Sequence, residues 1–222
     1  MIDIAPELLE SIRKDFKKFL NNAKIEKLDY LGAEEYAEKV GDALAKAFKL
    51  NIAADKLPEG SMFFNIADRV IRPMLELDTN MVVTATCEAQ KALNMKAGIG
   101  LNPVKPPANK DKMDGIINKV AGAEDYKSVA WMLDEPVKLF SLGVVDDVLQ
   151  ANIDFQGRAG LQPKVIRTAE SKCCKWCSNL AGVYEYPDVP DKVYQRHERC
   201  RCTVEYDPGD HRRQNVWTKQ WV

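Results

Sequence analysis

The sequence predicts a mainly α protein: a helical N-terminal body followed by a small α+β C-terminal module of short strands. Three observations predict it. Apolar residues recur at three- and four-residue steps through most of the first 150 or so positions, the spacing of amphipathic helices. After Gly157 and Gly160 that period gives way to three short runs rich in β-branched and aromatic residues. Five of the six cysteines fall between Cys173 and Cys202, inside the segment that carries those runs. The expected organisation is a helical region over 1–102, a second helical segment over 103–160 after a Pro-rich loop, and a Cys/His module over 161–222.

The first helix follows Pro6, which suits a first helical turn, and repeats Leu9, Ile12, Phe16, Phe19 and Leu20 on one face. The second repeats Tyr36, Val40, Leu44 and Phe48, with Glu34, Glu35 and Glu38 read as acids near its positive end. Residues 61 to 96 are apolar more continuously, from Met62 and Phe63 to Leu93, and form the expected central core element. Pro73 is expected to kink or divide this stretch, with Asp78 or Thr79 capping a second helix. From Gly98 to Asn109 the crowding of Pro103, Pro106 and Pro107 forbids a regular helix and marks an internal boundary. Helical spacing resumes at Met113, Ile116, Ile117 and Val120, then at Val129, Met132 and Leu133. It continues from Val137 to Leu149, with Asp134 and Pro136 at the expected start. The strand candidates are 164–167 (KVIR), 182–186 (GVYEY) and 202–206 (CTVEY). Three such strands bury too little to stand alone, so a further constraint is needed.

Composition limits the function. The chain has 222 residues, 45% of them hydrophobic, and 32 Lys+Arg against 33 Asp+Glu. It is ordinary globular material and not a protein basic all over. Residues 171–222 hold nine Lys/Arg and seven acids, so a weakly basic end follows a weakly acidic body. No stretch approaches the ~20 apolar residues of a membrane span. The start MIDIAPELLESIRKD lacks the basic, then apolar, pattern of an export signal. The expectation is a chain made in a reducing cytoplasm, with no membrane partner, where clustered thiols suggest metal or redox chemistry before disulfides.

The cluster reads as a metal site. Cys174 and Cys177 form a CxxC, and after nineteen intervening residues comes His197-Glu-Arg-Cys200-Arg-Cys202. A CxxC turn offers two thiolates from one knuckle and HxxC the second pair of a tetrahedral zinc site. Structural zinc contributes folding energy, which the strand-poor module needs. Cys174, Cys177, His197 and Cys200 are the expected ligands, with Cys202 exchangeable for either of the last two and Cys173 a buried neighbour. Disulfide pairing and thioredoxin-like redox chemistry are the alternatives, the second wanting a βαβ context that the sequence does not offer. Cys87 reads as a small core residue and His211 as solvated.

Catalytic patterns do not emerge. His197 could activate a thiolate, but five clustered cysteines suit ligation better, and no acid is placed to orient the imidazole. The chain contains no GxxxxGK[ST], HExxH or GxSxG. Arg196, Arg199, Arg201, Arg212 and Arg213, interleaved with Tyr194, Tyr206, Trp217 and Trp221, fit two readings. They could hold phosphates and stack bases, or form a solvated face over a small aromatic core.

The stretch KCCKWCSNLAGVYEY, followed by YQRHERCRCTVEYDPGDHRRQNVWTKQW, resembles the C-terminal motif of minor head proteins of tailed bacteriophages related to the phage Mu F-type head morphogenesis protein. The likeness is most specific from about Val165 to Trp221, and the lead-in from Ala151 to Arg167 shares it. Glu198 stands where family members often have proline. The resemblance implies a non-enzymatic virion component in the phage head, associated with the portal and/or the major capsid protein, and with packaged DNA as a further contact. It implies a role in head assembly or in DNA packaging and delivery, as several copies in an assembly. The family's Cys/His motif maps onto Cys174, Cys177, His197, Cys200 and Cys202. A zinc-ribbon nucleic-acid-binding protein using Arg199, Arg201, Arg212 and Arg213 is the alternative, and a Cys/His enzyme or toxin a more remote one.

Overall fold

Apolar residues at helical spacing dominate residues 5–158, and in the computed structural model, which describes residues 3–209, nearly all of that span outside its loops is helical. Helices α1 (Ala5–Leu20), α2 (Tyr30–Asn51), α3 (Phe64–Lys96), α4 (Lys110–Ala121), α5 (Tyr126–Val129) and α6 (Glu135–Arg158) come first. Strand β1 (Lys164–Thr168), a five-residue helix α7 (Lys175–Asn179), β2 (Gly182–Glu185) and β3 (Thr203–Asp207) follow. The chain divides into two compact units. One comprises Met1–Lys24, Ala37–Val82 and Pro107–Leu142, the other Ile25–Tyr36, Val83–Pro106 and Gly143–Val222.

In the first unit, the apolar faces read from the sequence are buried. Ile12 and Phe16 of α1, Val40, Leu44 and Phe48 of α2, and Met113, Ile117 and Val120 of α4 are all closed to solvent. Phe19 is 37% exposed and lies off that face. Helices α2 and α6 approach closely at Gly41, where an added Cβ would stand 2.8 Å from Ser141 Oγ and 2.9 Å from Lys138 Cα. Lys138 also reaches Asp42 of α2 at 3.1 Å.

Helix α3 corrects one expectation. It runs 33 residues without a break, with Pro73 inside it. Proline removes one backbone hydrogen bond and costs ~3 kcal/mol in a helix interior. Val70, Ile71, Met74 and Leu75, buried on both sides of it, offset that cost. Asp78 and Thr79 therefore cap nothing. Thr79 bonds its hydroxyl back to Leu75 O at 2.8 Å, and Asp78, fully buried, accepts from the Ser141 hydroxyl at 2.6 Å. The Asp78 Oδ1 atom has no partner, and burial raises this carboxyl to about 7 despite the Ser141 hydrogen bond.

In the second unit, β1 is the central strand of an antiparallel sheet ordered β2-β1-β3. Val165 pairs with Tyr184 and Tyr206, and Arg167 with Gly182 and Val204. Side chains alternate along a strand, so Val165 and Arg167 share the buried face of β1, as Val204 and Tyr206 share that of β3. A buried polar chain links the helices to this sheet. Tyr30 donates to Gln90 (2.6 Å), Gln90 to Asn94 (2.7 Å), Gln156 to Asn94 (3.0 Å), and Tyr206 to Gln156 (2.7 Å). The proline loop ahead of α4 is irregular, as expected. Asn152 accepts from Val104 N at 2.8 Å and donates to Val104 O at 3.0 Å, pairing backbone groups that the prolines leave without a helix. Cys87 is a buried free thiol facing Val104 O, the small core residue expected.

Candidate metal centre

Two short turns present the cluster. Cys174 precedes α7, and its sulfur accepts from Cys177 N at 3.5 Å, folding CxxC into one knuckle. The second knuckle closes through Cys200 N to His197 O at 3.0 Å, with Arg199 at a φ of 57°, a left-handed turn residue. The two knuckles meet. His197 Nε2 lies 3.3 Å from Cys174 Sγ and 3.0 Å from Cys177 Sγ, while Cys177 and Cys200 sulfurs are 3.7 Å apart. Bond lengths of a tetrahedral zinc site imply S···S edges of about 3.8 Å and S···N edges of about 3.5 Å. Each of these three pairs therefore stands near the separation that two ligands of one ion take.

The candidates form two triangles that share Cys177. Cys174, Cys177 and His197 make one, and Cys177, Cys200 and Cys202 the other, with all donor atoms of each within 4.8 Å of one another. These Cys/His groups can hold a metal ion. Cys177, Cys200 and Cys202 are buried, and Cys174 is exposed. All six cysteines are free thiols, and Cys173, half-buried, packs against the cluster as the neighbour expected. Burial and then the Cys202 and Cys200 thiols push the Cys177 thiol well up. The hydrogen bond from the Cys177 amide lowers the Cys174 thiol. A cation drawn into the cluster displaces the protons of such thiols, so its binding depends on pH.

Several residues around the cluster were not singled out by sequence reasoning. Arg167, 1% exposed, directs Nη2 at the sulfurs of Cys200 (3.7 Å) and Cys177 (3.9 Å). Its Nη1 donates to Val193 O and, at 3.0 Å, to Gln195 O. Trp176, between the two cysteines of CxxC, lies under the Arg167 guanidinium at 5.4 Å and meets the His197 ring edge-on at 5.7 Å. His197 Nδ1 is 2.7 Å from Glu198 O, so a backbone carbonyl and not an acid sets the ring's orientation.

The basic residues separate into two kinds. Arg196 is no phosphate contact: its side chain is 5% exposed, donates to both oxygens of Asp146 (2.5 and 2.8 Å), to Glu34 (2.6 Å) and to Cys202 O (2.8 Å). Glu34, read from sequence as an acid near a helix start, is a buried partner that also accepts from Val204 N at 3.0 Å. Burial raises the Glu34 carboxyl to about 7 against the pull of Arg196, and Asp146 and Glu34 together hold the Arg196 guanidinium well above its usual range despite its burial. This triad ties the turn before His197 and the start of β3 to helices α2 and α6. Tyr194 and Tyr206 are buried and offer no stacking surface. Arg199 is 79% exposed beside Glu198 at 3.7 Å, and Arg201 is exposed with a bond to Cys200 O at 3.3 Å. Arg212, Arg213, His211, Trp217 and Trp221 lie outside the described residues. Among the described residues no helix is long and apolar enough to cross a membrane.

No protein-family model matches the chain, and no curated protein and no solved structure shows significant similarity to it.

Proposed function

We propose that the chain is a structural, non-enzymatic component of a tailed-bacteriophage head, made in the host cytoplasm and incorporated into the virion. In this reading it docks on the portal and/or major capsid protein in several copies and acts in head assembly or in DNA packaging and delivery. The observation that carries it is where the motif residues behind the resemblance fall: Cys174, Cys177, His197, Cys200 and Cys202 form two adjoining donor triangles that share Cys177. Zinc is the metal assigned, because thiolate and imidazole donors suit it and four protein ligands leave no open position for substrate. Such a centre stiffens a small sheet, and the buried Arg196 triad fixes that sheet to helices α2 and α6. A head component that must hold its shape under assembly and packaging forces has use for both.

The test is fractionation of infected cells. The protein should co-purify with heads and head precursors at a fixed ratio to portal and carry close to one zinc per chain. Heads lacking the protein while it accumulates free would refute the assignment. Metal-free protein in intact heads would refute the zinc and leave the location standing.

A further inference from the structure

Arg167 sets the charge that the metal centre must carry. Its guanidinium is permanently charged, sits 1% exposed on the inner face of β1, and meets no carboxylate among the described residues. Its Nη1 atom is satisfied by two backbone carbonyls and its face by Trp176, while Nε has no partner. What remains for the charge is the pair of sulfurs at Nη2, those of Cys177 and Cys200. A buried cation without an anion costs several kcal/mol. Neutral thiols are too weak as acceptors to offset that.

We propose that the centre binds a divalent cation through three thiolates and one neutral imidazole, with Arg167 as the counter-ion and positioning residue of the anionic site. The inference rests on the metal reading above. Two thiolates would leave a neutral site beside an uncompensated cation. Three leave a single negative charge, which the guanidinium cancels. A fourth would leave one negative charge unmatched and would displace His197, whose Nε2 already stands 3.0 and 3.3 Å from two sulfurs. The ligands are then Cys174, Cys177 and His197 of one triangle with Cys200 of the other, the sulfur that Arg167 Nη2 faces; binding draws Cys200 toward the first triangle, and Cys202 remains a neighbouring thiol. Arg167 also links the two knuckles. It holds the 193–195 backbone, which leads into His197, while its guanidinium lies over Trp176 of CxxC.

X-ray absorption at the zinc edge of the full-length zinc-loaded protein is the first test, and it needs no variant. A shell of three sulfurs and one nitrogen is expected. Two sulfurs with two nitrogens, or four sulfurs, would overturn the inference while leaving the metal reading intact; a chain that takes up no metal would overturn both. The second test is zinc affinity by competition with a chromophoric chelator, repeated as pH is lowered. Arg167→Met should weaken binding by about 10–100-fold, as loss of an outer-shell partner does, and release zinc at a higher pH than the parent. Arg167→Lys keeps the charge and should fall between them. Parent-like release by Arg167→Met, or equal loss in both variants, would remove charge balance as the role of Arg167.

Discussion

Arg196→Met leaves two buried carboxylates facing one another without their cation. The guanidinium makes three charged hydrogen bonds of 2.5–2.8 Å to Asp146 and Glu34, whose side chains are 0% and 9% exposed, and a fourth bond to Cys202 O. Breaking a buried pair by removing one partner costs about 3–5 kcal/mol, a large share of the 5–15 kcal/mol by which a domain is stable. The loss should depend on pH with a definite sign. Without Arg196 the Glu34 carboxyl titrates in the folded chain above its unfolded value. The penalty is then absent below the unfolded pKa, near 4, and complete above the folded value, which for Glu34 lies at about 7 even with Arg196 present. Urea unfolding of parent and variant, followed by far-UV circular dichroism in zinc-saturated buffer, should show the larger gap at pH 7.5. At pH 5.5 the gap should be smaller by at least about 1 kcal/mol, since one pKa unit is ~1.4 kcal/mol. Replacing all three groups together, by Glu34→Gln, Asp146→Asn and Arg196→Met, should cost much less than Arg196→Met alone. A loss under about 1 kcal/mol at pH 7.5, or one equal at both pH values, would refute the reasoning.

Asp78→Asn should stabilise the protein at neutral pH. The buried carboxyl sits at about 7 against 3.8 for the free group, so the folded chain holds the extra proton and stability falls as pH rises from 4 to 7. That fall is about 4 kcal/mol at most, and the variant should flatten it in a pH series of denaturation midpoints. Gly41→Ala should destabilise by about 1–3 kcal/mol, because its Cβ would press on Ser141 and the α6 backbone. Gly115→Ala, mid-α4 and open to solvent with nothing within 4 Å of a new Cβ, should stabilise by about 0.5–1 kcal/mol, and thermal melts of the two variants should move in opposite directions. Chelation of the metal should strip hydrogen-exchange protection from β1, β2 and β3 while sparing α1 and α4; uniform loss, or none, would separate the centre from the folding of the sheet.

Periodicity carried the helices and strands because it reports a local fact, which side of an element faces apolar surroundings. It placed Ile12, Phe16, Val40, Leu44 and Phe48 in the core and located all three strands within a residue or so of where they form. Pro73 shows its limit: a local rule predicts a kink or a division, and the helix runs on through it with apolar residues buried on either side. The metal donors were legible because their spacing along the chain is itself the geometry, two donors per knuckle. The groups that support them were not, since Glu34 meets Arg196 across 162 positions and Arg167 meets Cys200 across 33. A trace of Arg167 was nevertheless present. In KVIRT it shares the parity of Val165, and a charged residue on the buried face of a strand demands an anion. In the folded chain what Arg167 Nη2 meets is the pair of sulfurs of Cys177 and Cys200, so the alternation that predicts the strand already flags a buried charge whose partner only the tertiary fold supplies.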